Sequence, residues 1–341
     1  MMNTSPNITP PTINSVTSES EGFRAVYETP GTYDNVLLRH YFAEAEDTDL
    51  ITSWLRSTYG EPRDTGPRQA ATRLNVVEFG CGTGRVTERV APYAASLLGV
   101  DYSPSMIDTF ASRYPTADTL CLDTRDAVHL LQTKGSADSF DLVTAFWSLS
   151  YPLGACFEEL TENGIVALES QEEGRRKAKQ LVKDMVNLLT ENGHFLCLLF
   201  DSDSAEQRLV TEAWETIAPT PFGDRGYTRS LLLEALRECE NDGQGWLTHA
   251  RHGGVALADD VKTARRWFTS AHFKDLPALV DSENVMADVD HFIEKHTSGD
   301  GRVHLPAGVH FIDFHRVGGT DIHLPPAKAK NPTTTILDQS S

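Results

Sequence analysis

The chain has 341 residues, of which 49 are acidic and 30 are Lys or Arg, giving a formal net charge of −19. That length accommodates one large core, or a core with a modest subdomain. The acidity repels a phosphate backbone and no basic stretch interleaved with aromatics offsets it, so nucleic acid is not the expected partner. No apolar run approaches the roughly 18 residues of a membrane span, which leaves a small molecule as the expected ligand.

Residues 1–22 are polar, without the cationic and apolar segments of a signal peptide, and are expected to be a disordered tail. Residues 23–73 are expected to form an N-terminal helical cap, because Val36, Leu37, Tyr41, Phe42, Leu50, Ile51, Trp54 and Leu55 recur at helical spacing. From Leu74 the pattern changes to short apolar runs alternating with helical stretches, as in βαβ units with a parallel sheet. The predicted strands are "NVVEFG" from Asn75, "SLLGVDY" from Ser96, "TLCLDT" from Thr119, "FDLVTAF" from Phe140, "HFLCLLF" from His194, "WLTHAR" from Trp246 and "VHFIDFHRV" from Val309. Helices are predicted at "RVTERVAPYAA", "PSMIDTFASRY" and "RRKAKQLVKDMVNLLTEN". A core of 74–258 and 303–323 follows, with 259–302 as a helical lid inserted between the sixth and seventh strands, since that connection far exceeds ordinary length. Residues 324–341 are expected to be a second disordered tail. The five cysteines, Cys81, Cys121, Cys156, Cys197 and Cys239, form no CxxC pair, which fits reduced thiols in a cytoplasmic protein.

The first predicted strand runs into "VVEFGCGTG", a turn with glycines at 80, 82 and 84. A dinucleotide fingerprint requires its third glycine where this chain has Arg85, so the spacing is wrong for NAD. Glu78 beside the turn would also repel a diphosphate, yet it could attract an ammonium group. A cationic ligand without phosphate satisfies both observations, and S-adenosylmethionine, with a sulfonium and an α-ammonium, is one.

The segment from about 74 to 200 resembles the class I S-adenosylmethionine-dependent methyltransferases of small-molecule type, whose first motif is E/D-x-G-x-G-x-G. The resemblance implies an α/β fold with a doubly wound, seven-stranded, mostly parallel sheet whose last strand is antiparallel. It implies that Gly80, Cys81, Gly82 and Gly84 admit the cofactor, with Glu78 near its methionine end and reaching the ammonium through water or backbone. Asp101, closing the second strand, would accept both ribose hydroxyls, and Tyr102 would lie against adenine or simply pack. Met106 falls in the first turn of a helix capped by Ser103. Asp123, followed by Thr124, would accept from the adenine amino group. Phe146 opens the aromatic stretch where cofactor meets substrate, and Tyr33 would bond the cofactor carboxylate.

Because the sulfonium methyl is already electrophilic, positioning and water exclusion can supply on the order of 7 to 11 kcal/mol of the barrier. A general base typically adds about 10² to 10⁴-fold, so its absence from the sequence pattern is no objection. Candidate catalytic residues are His249, Asp201 and Tyr151, and candidate substrate contacts are Trp147, Tyr151, Arg251 and Trp267. Phe200 is a further candidate at the strand ends, and the lid positions Arg266, Trp267 and His272 face the substrate if that segment folds over the site. No metal is expected: there is no H-E-x-x-H or Cys/His ligand spacing, and "FDSDS" alone is a weak cation signal. Alternatives are aminopropyl transfer, which needs an acidic loop where this chain has "FWSLSY", and a cofactor-binding regulator without turnover. A dehydrogenase ranks below both, and a homodimer is compatible with the sequence.

Overall fold

The computed structural model describes residues 36–42, 45–62, 73–161, 164–167, 170–217 and 220–318. Both expected tails and Tyr33 lie outside them. The sheet has the order β2-β1-β10-β11-β9-β6-β3-β4-β5. Its strands are β1 (Arg39–Phe42), β2 (Ala45–Glu46), β3 (Leu74–Phe79), β4 (Ala94–Asp101), β5 (Asp118–Cys121), β6 (Phe140–Phe146), β9 (Leu189–Phe200), β10 (Gly245–Ala258) and β11 (Val303–Arg316). A separate hairpin pairs β7 (Glu158–Thr161) with β8 (Gly164–Ala167). The β3, β4, β5, β6 and β9 ladders are parallel, and β11 is antiparallel to both β9 and β10.

All seven predicted strands are present, and the sheet grows to nine through β1 and β2. The expectation of helix across Val36–Phe42 is therefore corrected. Leu38, His40 and Phe42 are buried and alternate with exposed Arg39 and half-buried Tyr41, which is the period of a strand. The edge of β10 accepts this strand in register from Arg39↔Leu257 to Phe42↔Gly254. A Cβ at Gly254 would run into the Tyr41 backbone oxygen, so glycine is what lets the two chains meet. Among the described residues of the expected cap, Asp47–Tyr59 is helical.

A second correction concerns the long helix expected over 175–192, which occupies Gln171–Val186 instead. Leu188 leaves it to take up Phe140, whose amide donates to the Leu188 carbonyl at 3.0 Å, and β9 begins one residue later. The helical period ran on through apolar residues that belong to the sheet.

Helices Thr124–Thr133, Gln171–Val186 and Tyr227–Asn241 cover one face of the sheet around Val143, Phe195, Ile312 and Phe314. Helices Asp47–Tyr59 and Pro104–Arg113 cover the other around Val76, Leu142 and Val309. Between β10 and β11, helix Val261–Arg266 continues as a π-helical turn Trp267–His272, followed by helices Pro277–Val280 and Glu283–Lys295. This insertion packs with helix Ala205–Glu215 around Phe268, Val289 and Leu305. Among the described residues no helix is long and apolar enough to cross a membrane.

Candidate functional site

The glycine turn sits where β3 ends, at the point where the chain order of the sheet reverses between β3 and β6. In open α/β sheets this is where ligands bind. The Gly80 and Cys81 amides both donate to the Val100 carbonyl, at 2.7 and 3.0 Å, which ties the turn to the end of β4. Gly80, Gly82 and Gly84 all have positive φ, of 69°, 53° and 83°, a region that side chains rarely adopt. Gly80 and Gly84 are also needed for space, because a Cβ would strike Ser148 at the first and the Tyr114 ring, at 2.5 Å, at the second. Gly82 differs: a Cβ there would meet nothing within 4 Å. The turn is thus packed on two sides and open on the third.

Asp101 faces that opening. Its Oδ2 accepts from the Gly82 amide at 2.9 Å and its Oδ1 from the Ser103 amide at 3.0 Å. Burial pushes the carboxyl up, and the amides of Ser103 and Gly82 oppose it without fully cancelling the effect. The Tyr102 amide also favours the charged form, and the roughly four acceptor sites of a carboxylate leave room for a further hydroxyl. Ser103 caps helix Pro104–Arg113 by accepting from the Met106 amide at 3.4 Å, and the Met106 side chain is buried. Asp123 caps helix Thr124–Thr133, accepting from the Arg125 amide and from Arg125 Nε, each at 2.8 Å. Tyr102 is half-buried, while Cys81 and Phe146 are buried.

Glu78 requires a correction. It does not present a charge to the turn; its carboxyl is 2% exposed and accepts from the Thr87 hydroxyl at 2.7 Å. Burial pushes it up to about 8, so it is protonated at neutral pH. The negative charge bordering the turn is that of Asp101.

On the other side of the switch point, Trp147 follows β6 with a strained φ of 61° and donates its indole N–H to Asp47 at 2.9 Å. Asp47 is gripped by both terminal nitrogens of Arg85, at 3.1 and 2.7 Å, so the first turn of helix Asp47–Tyr59 joins the glycine turn to the end of β6. Burial alone would raise the Asp47 carboxyl, but Arg85 outweighs it and holds the group below the usual range. The Trp147 ring lies 4.3 Å from that of Phe200, the last residue of β9, and 5.7 Å from His40. His40 also borders Phe200 and Trp267, each at 5.6 Å between centroids. Beside it Glu206, fully buried, accepts from the Trp267 indole and sits 3.1 Å from His272 Nε2.

The remaining sequence candidates gather elsewhere. Val309 pairs with Phe200 and His310 with Leu199, so Phe200 shares a face with Val309 while Asp201 turns to the face of His310. Arg251 pairs with His310 and His249 with Ile312, which puts both on that second face. There Asp201 accepts from Arg251 Nε at 2.6 Å, with Arg229 at 3.6 Å. Burial pulls its carboxyl upward, yet the Asp203 amide and Arg251 prevail and keep it low. His310 Nε2 lies 3.1 Å from Arg229 and 3.2 Å from Asp201 Oδ1, and its Nδ1 lies 2.8 Å from His249 Nε2. His249 Nε2 is therefore engaged with His310 in either tautomer, and His249, Asp201 and Arg251 belong to a network on the face opposite Trp147. This corrects the expectation that His249 and Asp201 stand ready for catalysis beside Trp147. Tyr151 is 46% exposed, with the Lys274 ammonium 5.6 Å from its ring centroid. Of the expected substrate contacts, Trp147, Phe200 and Trp267 come together around His40.

Sequence reasoning passed over His40, Asp47 and Glu206. The alternation in "LRHYF" was the available signal for the first. Asp47 and Glu206 sit in acidic helix starts that look like solvated first turns.

Residues 77–195 match the family model described as a methyltransferase domain. The chain is 31% identical over 140 residues to the magnesium-protoporphyrin O-methyltransferase of Rhodobacter capsulatus, covering 36% of this chain and 61% of that protein. It thus spans less than two thirds of that curated relative. Among solved structures, the YcgJ protein of Bacillus subtilis aligns with a TM-score of 0.45 at 11% identity, over 80% of this chain and 98% of that one. The N-methyltransferase NodS of Bradyrhizobium japonicum WM9 aligns with a TM-score of 0.37 at 16% identity, over 79% and 96%.

Proposed function

We propose, from the match of residues 77–195 to a methyltransferase domain, that the chain is a class I enzyme that transfers the methyl of S-adenosylmethionine to an N, O or C nucleophile of a small molecule, such as a specialised metabolite. The observation that carries the reading is the pairing of Asp101 with the open side of the glycine turn, where its Oδ2 holds the Gly82 amide at 2.9 Å. A Cβ at Gly82 would enter the space a ligand needs, and a carboxylate with spare lone pairs stands at its edge. These features fit a ribose diol and an uncharged linker to adenine, and they disfavour a diphosphate.

In this reading Asp101 holds the ribose hydroxyls, Gly80 to Gly84 let the backbone approach, and Asp123 with Thr124 borders adenine. When bound, the cofactor supplies an electrophilic methyl for in-line displacement. Trp147, Phe146 and Phe200 form an apolar wall beside that position and keep water from the reacting atoms, which is where much of the acceleration arises. Asp47 and Arg85 fix Trp147 against the turn. The reading includes no metal, since the acid ending β9, Asp201, is occupied by arginines. It also takes the protein to be cytoplasmic and its partner to be a small molecule, with S-adenosylhomocysteine as product.

Titration calorimetry with S-adenosylhomocysteine tests the cofactor half, and saturable binding is expected. Incubation with methyl-labelled S-adenosylmethionine and a metabolite extract, read by mass spectrometry for compounds that gain the label, tests the transfer. Binding without any labelled product would mark a cofactor-binding regulator instead, and no binding would overturn the reading.

A further inference from the structure

Among the buried polar atoms of the described residues that lack a hydrogen-bond partner, two belong to the side chains around Trp267: His40 Nε2 and Glu206 Oε2. Each belongs to a side chain that is otherwise held in place. His40 Nδ1 lies 3.0 Å from the Leu38 carbonyl oxygen, which can only accept, so Nδ1 carries the proton. The neutral ring then has its lone pair on Nε2. Glu206 Oε1 takes the Trp267 indole N–H and faces His272, leaving Oε2 unused. A buried acceptor without a donor costs roughly 1 to 3 kcal/mol, so two in one place indicate a role.

We propose that His40 Nε2 is the proton acceptor for the nucleophile that receives the methyl group, with Glu206 as the positioning residue that balances the charge formed on the ring. The proposal rests on the methyltransferase reading of the same site. Geometry supports it in three ways. The ring is caged by Phe42, Trp147, Phe200 and Trp267, of which Trp147 and Phe200 end the two strands on the acceptor side of the switch point and are only half-buried. Trp147 is linked through Asp47 to Arg85 of the glycine turn, so the cage is tied to the cofactor position. His40 is itself fixed by its strand pairing with Ala256, a rigid support for a base.

The step balances. An acceptor X–H, where X is oxygen or nitrogen, uses its lone pair to form a bond to the methyl carbon. The carbon–sulfur bond breaks with its electron pair going to sulfur, giving the neutral thioether. The proton of X–H moves to His40 Nε2, producing an imidazolium that later returns it to solvent. The substrate class is thus a hydroxyl or N–H compound with an apolar body that suits four aromatic walls, not a carbanion. Charged groups facing the imidazole are Glu206 and Asp47, which favour its protonation, and Arg85, which opposes it; burial is the strongest influence and keeps the resting ring neutral.

The test has two parts. Protein labelled with ¹⁵N in its histidines, with His40→Asn for assignment and S-adenosylhomocysteine bound, is expected to show His40 neutral at pH 7 with its proton on Nδ1. A proton on Nε2, or a charged ring at that pH, would overturn the proposal whatever the acceptor. With the compound that gains label in the extract experiment, His40→Asn is expected to lower kcat by about 10² to 10⁴-fold. Affinity for S-adenosylhomocysteine should stay within about twofold, and the wild-type fall in kcat toward low pH should vanish in the variant. Glu206→Gln should lower kcat and move that limb to lower pH. A kcat for His40→Asn within about threefold of wild type sinks the idea. Failure of the wild type to label any compound would count against the methyltransferase reading instead, and the tautomer measurement would still decide His40.

Discussion

Two groups of buried histidine and carboxylate lie on opposite faces of the sheet near the end of β9, and their hydrogen bonding is complementary. On one face Asp201 is surrounded by Arg251, Arg229, His310 and the Asp203 amide, and His249 Nε2 is bonded to His310. On the other, Glu206 uses one oxygen and His40 keeps its Nε2 lone pair without a partner. The first arrangement is saturated and holds β9, β10, β11 and helix Tyr227–Asn241 together. The second carries unspent capacity beside the strand ends. The same residue types therefore differ in what they can do because of their partners, and an acid or imidazole identified only by its sequence position says little about which case applies.

The largest way to break this comparison is to remove each acid. Asp201→Ala removes the buried acceptor of Arg251 Nε and of the Asp203 amide, while Arg229 keeps Asp203 at 3.2 Å, and should destabilise the fold by about 3 kcal/mol in urea denaturation. Glu206→Gln retains an acceptor for Trp267 and should cost roughly 1 kcal/mol. Equal losses for the two would erase the distinction between a structural and a functional acid. Asp101 provides the reference on the cofactor side: Asp101→Ala is expected to weaken S-adenosylhomocysteine binding by about 10 to 100-fold in calorimetry, the value of hydrogen bonds to a charged group. Unchanged affinity would remove the basis for the cofactor reading.

Glu78 is a third buried acid, and its response to pH distinguishes it from the other two. Its folded carboxyl is raised to about 8 from an unfolded value of 4.5, so the folded state binds the proton more tightly. Its contribution to stability is complete below pH 4.5 and is lost progressively as pH rises toward 8. Glu78→Gln abolishes this dependence and retains an acceptor for Thr87. Between pH 6 and pH 8 wild type should lose about 2 kcal/mol relative to that variant, measured by urea denaturation at both values. Identical pH profiles would mean that Glu78 is ionised and borders the turn as a charge.

The parallel half of the sheet was legible because its signals are local. Short apolar runs, the glycine spacing and Asp101 at a strand end are each set by a few consecutive residues, and β3, β4 and β6 fall where the pattern puts them. What was not legible depends on partners far along the chain. The strand Arg39–Phe42 exists because β10, more than two hundred residues later, offers Gly254 to its backbone. Phe200 and Asp201 look like one feature in sequence and point to opposite faces once β11 fixes the register. Glu78 reads as a charge beside a glycine turn, and only its burial against Thr87 shows that it is neutral.

The smallest expected effect sharpens the comparison from the side of the saturated group. His249 Nε2 and His310 Nδ1 share one hydrogen bond at 2.8 Å, and the side-chain amide of glutamine can either donate or accept there. His249→Gln should therefore change stability by less than about 1 kcal/mol and leave kcat within about threefold of wild type. Burial lowers the His249 proton affinity, so the substitution exchanges one neutral partner for another. A hundredfold fall in kcat with little loss of stability would return the base to the face of Asp201, and the free lone pair of His40 would then need another explanation.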